Sequence, residues 1–364
     1  MNRIAPEEWE LATRVLLWIT CAMRPLTISE LQHAMAVEVG DSELDEENIP
    51  QVEDIVSVCA GLVTIDKESG IIRLVHYTTQ QYFERTQQKW FPNAETNITI
   101  FCVTYLLFDA FDSGRCQTDT EFEERLQLYQ LYDYAAQNWG HHARVASAEV
   151  EQLVLHLLES EAKVSSSSQA IMTTSNGYFM GRIKVSKKTA GLHLAAHFGL
   201  SKATIALLEH GHEQNSKDGY GLTALSHAAG NGYEAVVKLL LMRDGVDLNS
   251  RDRFGRTALS RAARNGHETV VKLLLAKDGV DLNSRDMREQ TALSQAAEKG
   301  HEAVVKLLLA KDRVHLNARD DTRRTALVYA VEKGHEAVVK LLLAKDGVDQ
   351  NSVEIVEFPY VRIT

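Results

Sequence analysis

The tripeptide Thr-Ala-Leu begins at Thr223, Thr257, Thr291 and Thr325, each 34 residues after the one before. Residues 252–285 and 286–319 are identical at 23 of 34 positions, more than shared composition explains. A weaker copy, Gly191-Leu192-His193-Leu194-Ala195-Ala196, lies 33 residues before its counterpart. A period of this length constrains the chain to a stack of small, nearly equal units. Each unit is too short to bury its own apolar face, and about three or more in a row are needed for stability.

Within one unit the residues predict two short helices. Thr223 can N-cap a helix over 224–231, and Gly232 follows as a left-handed terminator. A second helix over 234–241 carries Val236, Val237, Leu239, Leu240 and Leu241. The irregular stretch Asp244-Gly245-Val246-Asp247-Leu248-Asn249 then leads to a turn before the next Thr.

The blocks Thr257-Ala258-Leu259-Ser260-Arg261-Ala262-Ala263-Arg264-Asn265-Gly266-His267 and Val270-Val271-Lys272-Leu273-Leu274-Leu275 closely resemble the ankyrin repeat. Five units are expected, at about 187–218, 219–252, 253–286, 287–320 and 321–350. The sequence departs from the family pattern in two places. The family's helix-start Pro is Ala at 224, 258, 292 and 326, and its His is Ser at 226, 260 and 294 and Val at 328, so that only His193 keeps it. That His usually ties adjacent loops together in the family, so the resemblance implies a looser array.

The N-terminal half has a different pattern. Residues 7–22 and 29–37 read as helices, and a third opens at Pro50 and stops at Gly61. Leu62 to Asp66, the turn Lys67-Glu68-Ser69-Gly70, and Ile71 to His76 read as a β-hairpin. Three helices and a two-stranded wing predict a winged-helix domain over 5–90. A helical extension follows over 91–162, then a Ser-rich linker over 163–186, the repeats over 187–350 and a tail over 351–364. The fold class expected is mainly α, a winged-helix and helical region followed by an ankyrin-repeat solenoid.

Three segments of this half carry a second resemblance: Leu17-Trp18-Ile19-Thr20-Cys21-Ala22-Met23-Arg24-Pro25-Leu26, Leu74-Val75-His76-Tyr77-Thr78-Thr79-Gln80-Gln81-Tyr82-Phe83 and Tyr134-Ala135-Ala136-Gln137-Asn138-Trp139-Gly140-His141-His142. They look like the region after the NACHT nucleotide-binding domain in fungal NACHT–ankyrin proteins, which are similar to NOD-like receptors. The glycine-rich phosphate loop of that family, G-x-x-x-x-G-K-[ST], does not occur in residues 1–364. The resemblance therefore implies either a truncated relative or an incomplete gene model. His76 stands near a nucleotide-sensing position of related ATPases, but Tyr77 follows it where the family has Asp; a wing histidine packed on the next helix is expected instead.

Composition narrows the function classes. Apolar residues make up 45% and charged residues 24% of the chain, which is ordinary for a folded soluble protein. The longest apolar run, from Ile98 to Phe108, is well short of the roughly 20 residues that span a bilayer. The acidic N-terminus has no apolar signal region, and the Asn97 sequon reads as chance. Cys21, Cys59, Cys102 and Cys116 form no C-x-x-C pair, so a reducing, cytoplasmic setting is expected.

The net charge of −11 is unevenly placed. Residues 1–186 hold 13 Lys+Arg against 27 Asp+Glu, and residues 187–364 hold 26 against 23. The third helix of the winged helix, its DNA reader if it had one, carries Glu53 and Asp54 and no basic residue, which argues against nucleic acid. Neither His141-His142 nor the pair His193 and His197 is completed into a zinc set by spacing. No G-x-S-x-G elbow and no Cys–His pairing occur, although the winged-helix family is sometimes labelled by a lipid-processing enzyme. The chain reads as a non-enzyme without metal or cofactor.

The candidate site follows from the ankyrin resemblance, since partners of that family contact the turn tips and the first helix of each repeat. Here those positions are Tyr220, His227, Arg253, Phe254, Arg256, Arg261, Arg264, Arg288, Gln295, Arg323, Arg324 and Tyr329. Arg and Tyr are favoured interface anchors. The expected function is a scaffold that grips a protein partner, an acidic one given the arginines. An intramolecular contact with the acidic N-terminal half is a further expectation, and an accessory or remnant of a NACHT-type signalling ATPase is the alternative.

Overall fold

The computed structural model describes residues 8–175 and 189–353. The chain divides into two compact units, 1–194 and 195–364.

In the first unit, α1 (Trp9–Cys21), α2 (Ile28–Ala36) and α3 (Val52–Val58) precede a hairpin of β1 (Val63–Ile65) and β2 (Ile72–Leu74). Thr27 starts α2 with a capping box: its hydroxyl accepts from the Glu30 amide at 3.2 Å, and the Glu30 carboxylate accepts from the Thr27 amide at 2.8 Å. The strands pair antiparallel with Val63 opposite Leu74 and Ile65 opposite Ile72. The hairpin turn is set by Asp66, whose carboxylate accepts from the Glu68 and Ser69 amides at 2.9 and 3.3 Å. A further bridge joins Thr27 to Ile71. Leu16, Trp18, Leu31, Ile55, Ile72 and Phe83 fill the core of this winged helix. His76 is exposed at the N-cap of α4 (Tyr77–Arg85), not packed on that helix as expected. The alternation that buries Ile72 and Leu74 ends there because the backbone turns into the helix.

Next come α5 (Gln87–Trp90), α6 (Ala94–Leu106), α7 (Asp119–Leu128), α8 (Tyr132–Ala143), α9 (Glu151–Glu159) and α10 (Glu161–Ser175). Tyr105, Phe111, Tyr132, Tyr134 and Trp139 make an aromatic core, with Phe111 stacked on Tyr132 at 4.9 Å between ring centres. His142 is buried in a directional chain. Its Nδ1 donates to Glu95 at 2.6 Å, and the Tyr134 hydroxyl lies 2.9 Å from Nε2 while accepting from the Met23 amide at 3.0 Å. The chain of bonds runs from Met23 through Tyr134 and His142 to Glu95. It ties α6 and α8 to the loop between α1 and α2.

Ser165 to Ser168, expected in a linker, belong to α10, where Ser166, Ser167 and Ser168 are buried. Two of these hydroxyls have partners a linker would lack: Arg125 donates to Ser166 Oγ at 3.0 Å, and Ser168 Oγ donates to the Val164 carbonyl at 2.7 Å. Residues 176–186 of the expected linker lie outside the described residues, as does the tail from 354 onward. All four thiols are buried and unpaired; burial raises Cys21 and Cys59 to about 12 and also raises Cys102 and Cys116.

The repeats fold as five helix pairs, and the boundary between the two units falls inside the first helix. The pairs are α11 (Gly191–Phe198) with α12 (Ser201–Glu209), α13 (Ala224–Asn231) with α14 (Glu234–Leu241), α15 (Ala258–Arg264) with α16 (Glu268–Leu275), α17 (Ala292–Lys299) with α18 (Glu302–Leu309), and α19 (Ala326–Glu332) with α20 (Glu336–Leu343). The four Thr side chains cap α13, α15, α17 and α19, accepting from the amide three residues on at 3.2 to 3.3 Å. At Ser260 and Ser294, where the family has His, the serine hydroxyl accepts in return from the Thr amide, closing a capping box. The lost inter-repeat tie is replaced there by a local one.

Two ladders lock neighbouring repeats. His267, His301 and His335 donate through Nε2 to the carbonyls of Gly230, Arg264 and Glu298 at 3.0 to 3.1 Å. Each ring lies over a glycine of the previous repeat, so closely that a Cβ on Gly232, Gly266 or Gly300 would come within 2.6 to 2.7 Å of it. These glycines also have φ of 75 to 78°, which disfavours side chains in any case. In the second ladder Asn215, Asn249, Asn283 and Asn317 each donate to a carbonyl 30 residues on, at 2.7 to 2.8 Å. Each also accepts from the amide 32 residues on, again at 2.7 to 2.8 Å.

Candidate partner-binding surface

The turn before each capped helix is organised by one aspartate: Asp218, Asp252, Asp286 and Asp320. Its Oδ1 accepts from the amides two and four residues on, at 2.8 to 2.9 Å in every case. Two amide donors from one turn fix its backbone, and the tips then pair with each other. Arg253 donates to the Tyr220 carbonyl at 2.8 Å, Met287 to Phe254 at 2.8 Å and Asp321 to Arg288 at 3.1 Å.

The other carboxylate oxygen, Oδ2, faces the residue nine positions on, in the first helix of the same repeat. His227 Nε2 donates to Asp218 at 2.8 Å and Gln295 Nε2 to Asp286 at 2.7 Å. Arg261 reaches Asp252 at 3.3 Å and the Tyr329 hydroxyl reaches Asp320 at 2.5 Å. Four chemically different side chains thus do the same job. The expectation that these positions form an open contact surface does not hold for Gln295 and Tyr329, which are 0% and 6% exposed. His227 and Arg261 are half-buried, with His227 Nε2 and Arg261 Nη1 bound to aspartate.

The electrostatics follow the same logic. Burial alone would raise Asp320, but hydrogen bonds from Tyr329 and from the amides of Arg324 and Thr322 outweigh it and hold the carboxyl below its ordinary value. Tyr329 is pushed up to about 12, by burial first and by the carboxylate second. Burial, with Arg256 nearby, lowers Arg261, while Asp252 opposes the shift. The Arg261 guanidinium also lies against Gly230, where a Cβ would meet Nε at 3.0 Å.

Of the other expected arginines, three are partly spent within the array. Arg256 pairs with Asp252 at 2.9 Å and stacks over Phe254 at 4.6 Å. Arg264 lies 3.8 Å from Glu298, and Arg324 lies 3.3 Å from Glu332 and over the Tyr329 ring. Arg253, Arg288 and Arg323 are exposed at the tips, together with Phe254 at 47%. Tyr220 is half-buried. Sequence reasoning missed Met287, 72% exposed at the tip next to Arg288. Glu289 and Arg323 take φ of 59 and 67° at a tip position where the two preceding repeats have Gly221 and Gly255.

Among the described residues no helix is long and apolar enough to cross a membrane. A family profile for ankyrin repeats in three copies matches residues 192–286 and 279–354. A second profile, described as the winged helix domain of GPI inositol-deacylase, matches residues 3–90. Azaphilone pigments biosynthesis cluster protein L of Monascus ruber is 33% identical over 166 residues, 40% of this chain and 34% of its own length. The chain spans about a third of the length of that curated relative. With the helix pairs and wing described above, these matches identify a mainly helical chain in which a winged-helix region is followed by ankyrin repeats.

Proposed function

We propose that this chain is a non-catalytic scaffold that binds a protein partner across the tips of its ankyrin repeats. The observation that carries this reading is the row Arg253, Phe254, Met287, Arg288 and Arg323. These are large cationic and apolar side chains left exposed on turns whose backbones are fixed by aspartate carboxylates. A preorganised backbone lowers the ordering cost of binding, and arginine with an aromatic neighbour is a common anchor. The partner surface that fits is acidic with an apolar centre.

The test uses the full chain as bait and then measures the recovered partner's affinity across a salt series. Arg253→Glu with Arg288→Glu should weaken binding at least tenfold and flatten its salt dependence. An affinity indifferent to both changes would remove the tips as the determinant.

A second reading, an accessory or remnant of a NACHT-type signalling ATPase acting with a nucleotide-binding partner, is supported by the winged-helix match. Residues 1–364 contain no glycine-rich phosphate loop, and calorimetry with ATP on this chain alone should show no saturable binding. Micromolar affinity would overturn that part of the reading.

A further inference from the structure

The last described repeat carries attachment points matching those of the others, and four of them are unused among the described residues. Gly232, Gly266 and Gly300 each lie under a histidine ring from the next repeat, whereas Gly334, with φ of 71°, has nothing within 4 Å of the position its Cβ would take. The carbonyls of Gly230, Arg264 and Glu298 each accept from such a histidine; the matching carbonyl, that of Glu332, accepts no inter-repeat bond among the described residues. Asn215, Asn249, Asn283 and Asn317 each clamp the backbone ahead, and Asn351, next in the same series, is exposed with no side-chain bond among the described residues. Leu241, Leu275 and Leu309 are 5 to 9% exposed, and Leu343 is 37% exposed.

We propose that this C-terminal edge is a docking surface for one more ankyrin-type repeat carrying a Gly-His turn, supplied by a second polypeptide. The edge continues an interface the chain already builds several times over, and it asks for the same chemistry. An imidazole N–H must reach the Glu332 carbonyl while its ring fills the space over Gly334. A carbonyl and an amide two residues apart must meet Asn351, and an apolar helix face must cover Leu343. A second copy of this chain placed head to tail does not meet that demand, because its first repeat has Leu200 where the others have Tyr233, His267, His301 and His335. The inference is independent of the tip surface and survives if that reading fails.

Two experiments test it. In the first, a copy of residues 286–319, which brings its own Gly-His turn in register, is joined directly after Val353 of the full chain. Thermal unfolding should rise by several degrees, as expected when a repeat gains a neighbour. Gly334→Asn, which tolerates a left-handed backbone but fills the space above it, should leave the unextended chain nearly unchanged and abolish the gain in the extended one. Gly300→Asn is the contrast: it meets the His335 ring and should lower the midpoint of either chain. An extension that adds no stability, or a gain that survives Gly334→Asn, overturns the proposal. In the second, a benzophenone side chain replaces Leu343 in the full chain, which is irradiated in an extract of the cells that make it. The expected product is a peptide from another polypeptide that contains a Gly-His repeat turn. A crosslink to residues 354–364 of the same chain, a crosslink to position 343 of a second copy, or no intermolecular product each overturns it.

Discussion

The Tyr329 hydroxyl donates to Asp320 Oδ2 at 2.5 Å, joining the first helix of the last repeat to the turn that precedes it. Hydrogen bonds to a buried charge contribute about 1.5–3 kcal/mol, so Tyr329→Phe should destabilise the protein by that amount near neutral pH. Asp320 has a folded-state pKa below its ordinary value. Its contribution is therefore full above the unfolded carboxylate range, near pH 4, and is lost as pH falls through the depressed folded value. Denaturant titrations of wild type and Tyr329→Phe should differ most near neutrality and converge in acid. A difference that is constant with pH would mean that the bond does not favour the carboxylate.

Glu289 and Arg323 occupy left-handed backbone where the two preceding repeats have glycine. That conformation costs a residue with a Cβ about 1–2 kcal/mol, partly offset by the greater freedom of glycine in the unfolded chain. Glu289→Gly should accordingly raise the thermal midpoint, by about 0.5–1 kcal/mol of stability. Its ion pair with Arg285 at 3.0 Å is exposed and contributes little against that gain. Arg323→Gly should stabilise similarly while weakening the partner, so that stability and binding move in opposite directions. A midpoint that falls in Glu289→Gly would show that the turn is not strained.

Leu274 is 1% exposed and Leu273 is half-exposed, although both belong to the same Leu triplet. Leu274→Ala should cost about 2–5 kcal/mol, and Leu273→Ala clearly less. Equal losses by chemical denaturation would contradict the helix orientation described here.

Asn283 donates to the Arg313 carbonyl at 2.8 Å and accepts from the His315 amide at 2.7 Å. Asn283→Asp keeps the acceptor but turns an oxygen toward the carbonyl. A loss of about 1–3 kcal/mol is expected, measured as a lower denaturation midpoint. Asn283→Ala should cost a similar amount, and a neutral result in both variants would remove the ladder as a source of stability.

The repeats were legible in the sequence because their period writes itself as identity: Thr at 223, 257, 291 and 325, and Gly-His at 266, 300 and 334. The wing was legible from alternation around a Lys-Glu-Ser-Gly turn. The internal role of position nine was not, because His227, Arg261, Gln295 and Tyr329 share no residue type and look like a variable surface. The signal lay in their partner, since Asp218, Asp252, Asp286 and Asp320 recur with the same 34-residue period. The serines of α10 misled for another reason. A polar run reads as solvated, and only the tertiary fold supplies Arg125 to Ser166 and the helix that lets Ser168 donate to Val164.

The asparagine ladder grips only main-chain atoms, and it always grips the pair 30 and 32 positions ahead. Nothing in that grip reads the side chains it meets, which are Gly and Asp in one repeat and Arg and His in another. Whole units can therefore be duplicated or deleted by recombination and the seams will still close. A single inserted codon within a unit, by contrast, shifts both contacts at once. The array is free to evolve in copy number and is held to its period.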